Sequence, residues 1–240
     1  GLQPLDLPQE LQTFLRDKAC ADAAQRQKDY AEEAEDALEA LIQTDFDELG
    51  VDRFFLAFAF EALDGFGRLL AYVHPEQKDT PAADRRPSFN ERLLDSGAAY
   101  PYFIFPNVDP FRSRGSPIEA AAMASSPQAI LQGSPRLRRA RQSVAQAREQ
   151  GLGVFNADRP NLFEPFELRF LARRSPPSRW LIDLSAEESV ILEPTQYPQI
   201  PKAEDRLWLP PEFVPLFQMS GWTLAGDTQN IMASTVAAQT

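Results

Sequence analysis

Asp64-Gly65-Phe66-Gly67-Arg68-Leu69-Leu70-Ala71-Tyr72-Val73 is the stretch that decides how this chain reads. Two glycines in three residues mark a tight turn, and the apolar alternation after them predicts a strand. Upstream, Arg53-Phe54-Phe55-Leu56-Ala57-Phe58-Ala59-Phe60-Glu61 alternates in the same way. Phe54, Leu56, Phe58 and Phe60 fall on one face, with Ala57 and Ala59 on the other. The two runs are expected to pair as a hairpin across Leu63-Asp64-Gly65, with the phenylalanines as core. Arg68 then stands at the mouth of the second strand. Arginine is always charged and presents a planar fork of donors, which suits it to a phosphodiester; a surface salt bridge, for instance to Asp64, is the competing reading.

Bulk properties bound what can be built around this hairpin. The 240 residues suffice for one large or two small domains, and 43% hydrophobic content is ordinary for a globular chain. No apolar run reaches membrane-spanning length and no signal-peptide pattern opens the chain, which leaves the compartment unassigned. One cysteine, Cys20, excludes an internal disulfide and any multi-thiolate metal site. One histidine, His74, excludes a two-histidine mechanism and is read as a surface strand end. The net charge of −11 has the wrong overall sign for a general nucleic-acid binder. Charge is uneven, however: residues 17 to 61 are strongly acidic, whereas every charged residue from Arg136 to Arg148 is basic. For steering a polyanion, local patches count for more than totals.

Residues 18 to 43 are rich in Ala, Glu, Gln and Lys, without Pro or Gly, and predict one helix with Tyr30, Ala34, Ala37, Leu38 and Leu41 as its apolar stripe. Phe89 to Ser96 predicts a short helix, with Ser88 as N-cap, Glu91 completing a capping box and Gly97 as C-cap. Residues 101 to 135 carry repeated Pro, Gly and Ser and are expected to form a long loop, with a helix only at Ile118 to Ala124. Further on, Phe166-Glu167-Leu168-Arg169-Phe170-Leu171-Ala172-Arg173 and Trp180-Leu181-Ile182-Asp183-Leu184 alternate as strands joined through Arg174 to Ser178. Prolines 194, 198, 201, 210, 211 and 215 then punctuate an irregular stretch.

Several of these segments resemble, in order, the staphylococcal-nuclease-like (thermonuclease) family. Asp64 to Val73 is similar to its D-x-Y-G-R-x-L-A-Y-V strand, with Phe66 in place of Tyr. Phe89-Asn90-Glu91-Arg92-Leu93-Leu94-Asp95-Ser96-Gly97-Ala98-Ala99-Tyr100 is similar to its V-N-E-x-L-V-x-x-G-x-A-x-V helix. Leu2 to Gln9 resembles R-L-x-G-I-D-A-P-E, and Arg136 to Phe155 resembles the terminal helix with its closing G-x-G-L-W. The resemblance covers roughly residues 1 to 156. It implies an α+β chain whose first 156 residues form an OB-type β-barrel with helices, the hairpin phenylalanines being barrel core. Residues 157–224 are then a small β-rich accessory unit and 225–240 a tail. The family barrel has three strands ahead of the D-x-P-E loop. Their absence here implies missing upstream residues, strands supplied by the 166–184 hairpin, or strands from another chain, the first being preferred.

For chemistry, the resemblance implies calcium-dependent cleavage of DNA or RNA. A hard, oxygen-liganded cation orients and polarises the phosphate, a carboxylate activates water, and guanidinium groups neutralise the charge gathering on phosphate oxygens. Arg68 matches a phosphate-binding arginine, and Asp6 matches a calcium carboxylate, against the simpler reading of an Asx turn before Pro8. The position of the catalytic glutamate holds Gln9, whose amide cannot take a proton from water at neutral pH. Glu10 follows and could replace it only in a reshaped loop. The first family arginine aligns with Gly1. Tyr100 and Tyr102 match tyrosines lining the nucleotide pocket, where stacking on a base competes with plain packing. Arg136 and Arg139, with Arg138 and Arg141, are either phosphate contacts or the solvated face of a helix. In the family the residues matching Asn90 and Glu91 are structural.

The expectation is therefore a divergent calcium-dependent nuclease, with Arg68 and Glu10 catalytic, Asp6 on the metal, and Tyr100, Tyr102, Arg136 and Arg139 on the substrate. The alternative is a catalytically inactive nuclease-like module that binds nucleic acid or protein, which Gln9 favours. A third reading, an assembly surface made of the acidic helix and the β-rich segment, has no specific feature behind it.

Overall fold

The computed structural model describes residues 6–63, 67–81, 84–108, 116–160 and 163–226. The chain is mixed α+β and divides into two compact units, each discontinuous in sequence. One comprises residues 1–17, 102–138 and 165–240; the other comprises 18–101 and 139–164. Among the described residues there is one two-stranded sheet and one five-stranded sheet, and neither closes on itself.

In the 18–101/139–164 unit, the acidic helix α2 spans Ala23–Leu49, starting later and running further than its composition predicts. It stops at Gly50, whose φ of 63° is the left-handed conformation that a helix C-terminus commonly takes. The expected hairpin forms. Strand β1 (Phe54–Leu63) pairs antiparallel with β2 (Leu69–Pro75), in the register Phe55 to His74 and Ala57 to Tyr72. The turn residues 64–66, and with them the expected Asp64 partner of Arg68, lie outside the described residues.

The expectation of a phenylalanine core does not hold for this hairpin. Phe54, Phe58 and Phe60 are exposed at 46%, 47% and 37%, and Phe55 on the opposite face at 56%. Phe54 does meet Phe46 and Phe89, with ring centroids 5.2 and 6.1 Å away. The other β1 phenylalanines stay exposed, because a two-stranded sheet has no second layer of its own, whereas β2 is half-buried from Leu70 to His74 and buried at Pro75.

Helix α3 (Phe89–Asp95) has the predicted capping box: Ser88 Oγ accepts from Glu91 N–H and the Glu91 carboxylate accepts from Ser88 N–H at 2.9 Å. Gly97 follows with φ 69°. Asn90 ties α3 to the hairpin, its Oδ1 accepting from Val73 N–H at 2.9 Å. Asn90 and Glu91 thus both hold the backbone around α3. At the heart of the unit the buried Asp45 carboxylate takes Arg86 on one oxygen and Arg92 on the other, each at 2.5 Å. Arg86 also reaches Glu48 at 2.6 Å, and the Asp45 and Glu48 carboxylates hold its guanidinium above its usual pKa. Tyr30 donates to the Arg159 carbonyl, and Arg159 pairs with Glu33 while its guanidinium lies 4.4 Å from the Tyr30 ring centre.

The 1–17/102–138/165–240 unit departs further from expectation. Helix α1 (Gln9–Lys18) begins at the end of the segment matched to the D-x-P-E loop, and its Leu11 and Leu15 are buried. The supposed long loop 101–135 holds the expected short helix, α4 (Pro117–Met123), and, beyond expectation, strand β3 (Phe103–Ile104) and helix α5 (Pro127–Gly133). The basic run forms helix α6 (Pro135–Glu149), whose residues from Arg139 on belong to the other unit. The same dipeptide opens all three helices. Ser116, Ser126 and Ser134 each accept from a backbone N–H three residues on, and a proline takes the next position. Serine satisfies an orphan donor, and proline sacrifices an N–H that the first turn does not use. Read as loop punctuation, the Ser-Pro pairs are in fact helix starts.

Phe166–Arg173 is a second correction. It is not a strand but helix α7 (Pro165–Arg173), with Phe166, Glu167 and Phe170 buried. Its apolar positions fit both a period of two and one of 3.6, and Pro165 at the first position and the buried Phe166–Phe170 spacing belong to the helix. Strand β4 (Trp180–Asp183) forms within the predicted Trp180–Leu184 run and is central in a sheet with β5 (Val190–Leu192), β6 (Arg206–Leu209) and β7 (Thr223–Leu224). The order is β3-β6-β4-β5-β7, with β3 parallel to β6 and β4 antiparallel to both β5 and β6. Every residue of β6 is buried, so the proline-punctuated stretch supplies the innermost strand. Helix α8 (Val214–Met219) packs against α4, and Trp222 donates from Nε1 to the Ala124 carbonyl at 2.5 Å. From residue 227 on, the expected tail lies outside the described residues.

Candidate functional site

The aromatic core of the sheet-bearing unit gathers Tyr102, Phe166, Phe170, Tyr197 and Trp208. Tyr102 stacks on Phe166 with centroids 6.0 Å apart and lies 5.1 Å from Trp208. Trp208 on β6 is 1% exposed and floors the cluster. Tyr197 is fully buried and its hydroxyl donates to the equally buried Glu167 at 2.7 Å. A buried carboxylate needs such partners, because unpaired charge in a low-dielectric interior is costly.

Where the cluster reaches the surface it opens into a cavity of about 120 Å³. Three arginines line it. Arg169 and Arg173 lie one helical turn apart near the end of α7, and Arg179 precedes β4. The guanidiniums of Arg169 and Arg179 sit 5.4 and 5.7 Å from the Tyr102 ring centre, and Arg179 Nη1 donates to Tyr102 Oη at 3.1 Å. A guanidinium lying on an aromatic ring keeps its donors in its own plane, where they stay available to an anion. Between the arginines, Arg174 takes the left-handed conformation at φ 53° and Ser175 N–H bonds back to the Phe170 carbonyl. A non-glycine residue held there costs on the order of 1–3 kcal/mol. That turn sends Ser175-Pro176-Pro177-Ser178 along the cavity wall. No carboxylate is among the lining residues, so the cavity is both cationic and aromatic.

The residues singled out from sequence are dispersed. Asp6 is exposed just ahead of α1, and Glu10 is exposed in its first turn. Arg68 is exposed at the head of β2. Arg136 and Arg139 are exposed on α6. Tyr100 packs edge-on against Phe155 at 5.5 Å, which supports packing for that ring. Asp6, Glu10, Tyr102 and Arg136 belong to the sheet-bearing unit, and Arg68, Tyr100 and Arg139 to the other. Among the described residues no group of three or more His, Cys, Asp or Glu is placed to hold a metal ion. The donor set expected for calcium is therefore not assembled by the residues described. No helix among the described residues is long and apolar enough to cross a membrane.

Sequence reading missed Arg169, Arg173, Arg179 and Trp208. The available signal was the density of arginines on either side of Pro176-Pro177. Assigning α7 as a strand hid the one-turn spacing that brings two of them together.

Comparison with known proteins finds no matching protein-family model, no matching curated protein and no matching solved structure.

Proposed function

We propose that the protein is a divergent nuclease that hydrolyses phosphodiester bonds of DNA or RNA, with a staphylococcal-nuclease-like OB-type barrel to which β1, β2 and α3 belong. The observation that carries this reading is the setting of Arg68. It stands exposed at the head of β2, in a hairpin that Asn90 fastens to α3 through Val73 N–H, so a guanidinium fork is presented from an anchored strand. Such a group stabilises charge gathering on phosphate oxygens in the transition state. Glu10 is the general base in this reading, because Gln9 cannot serve and Glu10 is exposed on the first turn of α1. Calcium, with Asp6 as a ligand, enters from the sequence resemblance alone.

A second reading has its own support. Gln9 replaces the family base, and the described residues assemble no carboxylate cluster; both favour a catalytically inactive module that binds nucleic acid. The experiment is cleavage of single-stranded DNA and of RNA with calcium or with EDTA, for the parent chain, Arg68→Ala and Glu10→Gln. Calcium-dependent cleavage lost in both variants supports the nuclease. Absence of cleavage by a folded chain that still binds the oligonucleotide leaves the binding module.

A further inference from the structure

We propose that the cavity between the end of α7 and the start of β4 is a nucleotide-phosphate site, lined by residues other than Arg68 and Glu10. The proposal rests on the nucleic-acid reading above and deepens it by assigning where a phosphate of the ligand is held.

Charge comes first. Arg169, Arg173 and Arg179 line one cavity with no carboxylate among its lining residues, in a chain whose net charge is −11. An acidic protein that gathers arginines at one opening, with the Arg169 and Arg179 guanidiniums beside the Tyr102 ring, has concentrated positive potential where an anion can enter. Planar guanidinium forks suit the oxygens of a phosphate, which they can grip bidentately. Preorganisation comes second. Arg179 is fixed by its bond to Tyr102 Oη, two guanidiniums rest against the Tyr102 ring, and the Pro176-Pro177 pair stiffens the wall. Ordering long arginine side chains in advance lowers the entropy lost on binding. Size comes third. At about 120 Å³ the cavity is below the usual 300–1,000 Å³ of sites that engulf a whole ligand, so it takes a group and leaves the remainder outside. Seryl hydroxyls at Ser175 and Ser178 add neutral donors at the rim.

A phosphate of this kind is available from a free nucleotide or from a strand, and the test separates them. Binding of thymidine monophosphate and of a single-stranded dT12 is measured by calorimetry in EDTA at low salt, where no cleavage interferes. The chains compared are the parent, Arg169→Gln/Arg179→Gln, Tyr102→Phe and, as a charge control away from the cavity, Lys202→Gln. The expected result is at least a tenfold rise in Kd for the double variant, a smaller rise for Tyr102→Phe, and less than a twofold change for Lys202→Gln. Weakening on thymidine monophosphate alone assigns the site to a phosphomonoester, and weakening on both ligands assigns it to a phosphate of either kind. Weakening on dT12 alone assigns it to a backbone phosphodiester. No binding by the parent, or equal Kd values for parent and double variant with unchanged circular dichroism, overturns the proposal. Should the double variant melt early, Tyr102→Phe decides, since it keeps the ring and removes only the hydroxyl that holds Arg179. Cleavage that needs Arg68, together with an inert cavity, would leave the nuclease standing without this site. Binding that needs the cavity in a chain that never cleaves would do the reverse.

Discussion

Gly97 and Gly153 meet backbone to backbone, and neither has room for a side chain. The Val154 N–H donates to the Gly97 carbonyl at 2.9 Å, and both glycines have positive φ, 69° and 50°. A Cβ on Gly97 would lie 2.6 Å from the Leu152 carbonyl oxygen, and one on Gly153 would collide with the Gly97 carbonyl. The turn after α3 is thereby locked to the turn after α6. Gly153→Ala is expected to cost about 3 kcal/mol, from backbone strain plus the clash. Gly50 shares the left-handed conformation but has open space around it, so Gly50→Ala should cost only about 1 kcal/mol. Denaturant titration of the two variants checks the difference.

Asp45 is the counter-charge on which two arginines depend. Asp45→Asn leaves Arg86 and Arg92 facing a neutral amide in a buried place, and a loss of about 3 kcal/mol is expected. Glu48→Gln removes only the exposed partner of Arg86 and should cost under about 1 kcal/mol. Equal effects in urea unfolding would contradict this division of roles.

The indole of Trp222 reaches the Ala124 carbonyl, joining the segment after α8 to the end of α4. Trp222→Phe keeps an aromatic ring and deletes the donor, leaving a buried carbonyl unpaired. The expected cost is about 1–3 kcal/mol. Hydrogen exchange should report faster opening of α4 and α8 before it reports any change in β4 or β6.

Cys20 is exposed, yet its thiol donates to Asp22 at 2.8 Å, and that bond together with desolvation pushes its pKa above the ordinary value. The same bond, together with the one from Arg26, lowers the Asp22 pKa. Because the thiolate is the nucleophile, Cys20 should alkylate slowly at neutral pH and speed up as pH rises. Asp22→Ala removes the acceptor, lowers the thiol pKa and is expected to raise the iodoacetamide rate several-fold. An unchanged rate would show that the bond does not persist in solution.

The β1–β2 hairpin exposes Phe54, Phe55, Phe58, Leu63 and Leu69 together, all at more than 45%. An apolar surface of this kind on an unpaired sheet associates with whatever apolar surface it meets. Sedimentation should show concentration-dependent association, weakened by Phe55→Thr with Leu69→Lys. Those two substitutions are expected to leave the melting temperature within a few degrees, since neither side chain is buried.

Legibility in the sequence followed the range of the forces involved. The hairpin, the Ser88–Glu91 capping box and the glycine at the end of α3 were readable, because each is set by residues within one or two turns of each other. Helix α7 was misread because its nine residues satisfy two periodicities, and the choice between them falls to packing against Tyr197 and Trp208, which are distant in sequence. Of the residues proposed from sequence, Tyr102 alone lines the cavity described above. Its companions come from a segment assigned to the wrong element.

By itself the sequence determined the local structure: which residues cap α3, that Gly97 ends it with positive φ, that β1 pairs with β2, and that basic charge is concentrated after residue 135. Only the tertiary structure decided that Phe103–Ile104 joins Arg206–Leu209 across a hundred residues, that a proline-rich stretch supplies the most buried strand, and that three arginines share one opening. Capping and turn chemistry act over a few ångströms of contiguous chain. Strand order and cavity lining depend on burying apolar surface between segments far apart in sequence, and no short window of residues records that.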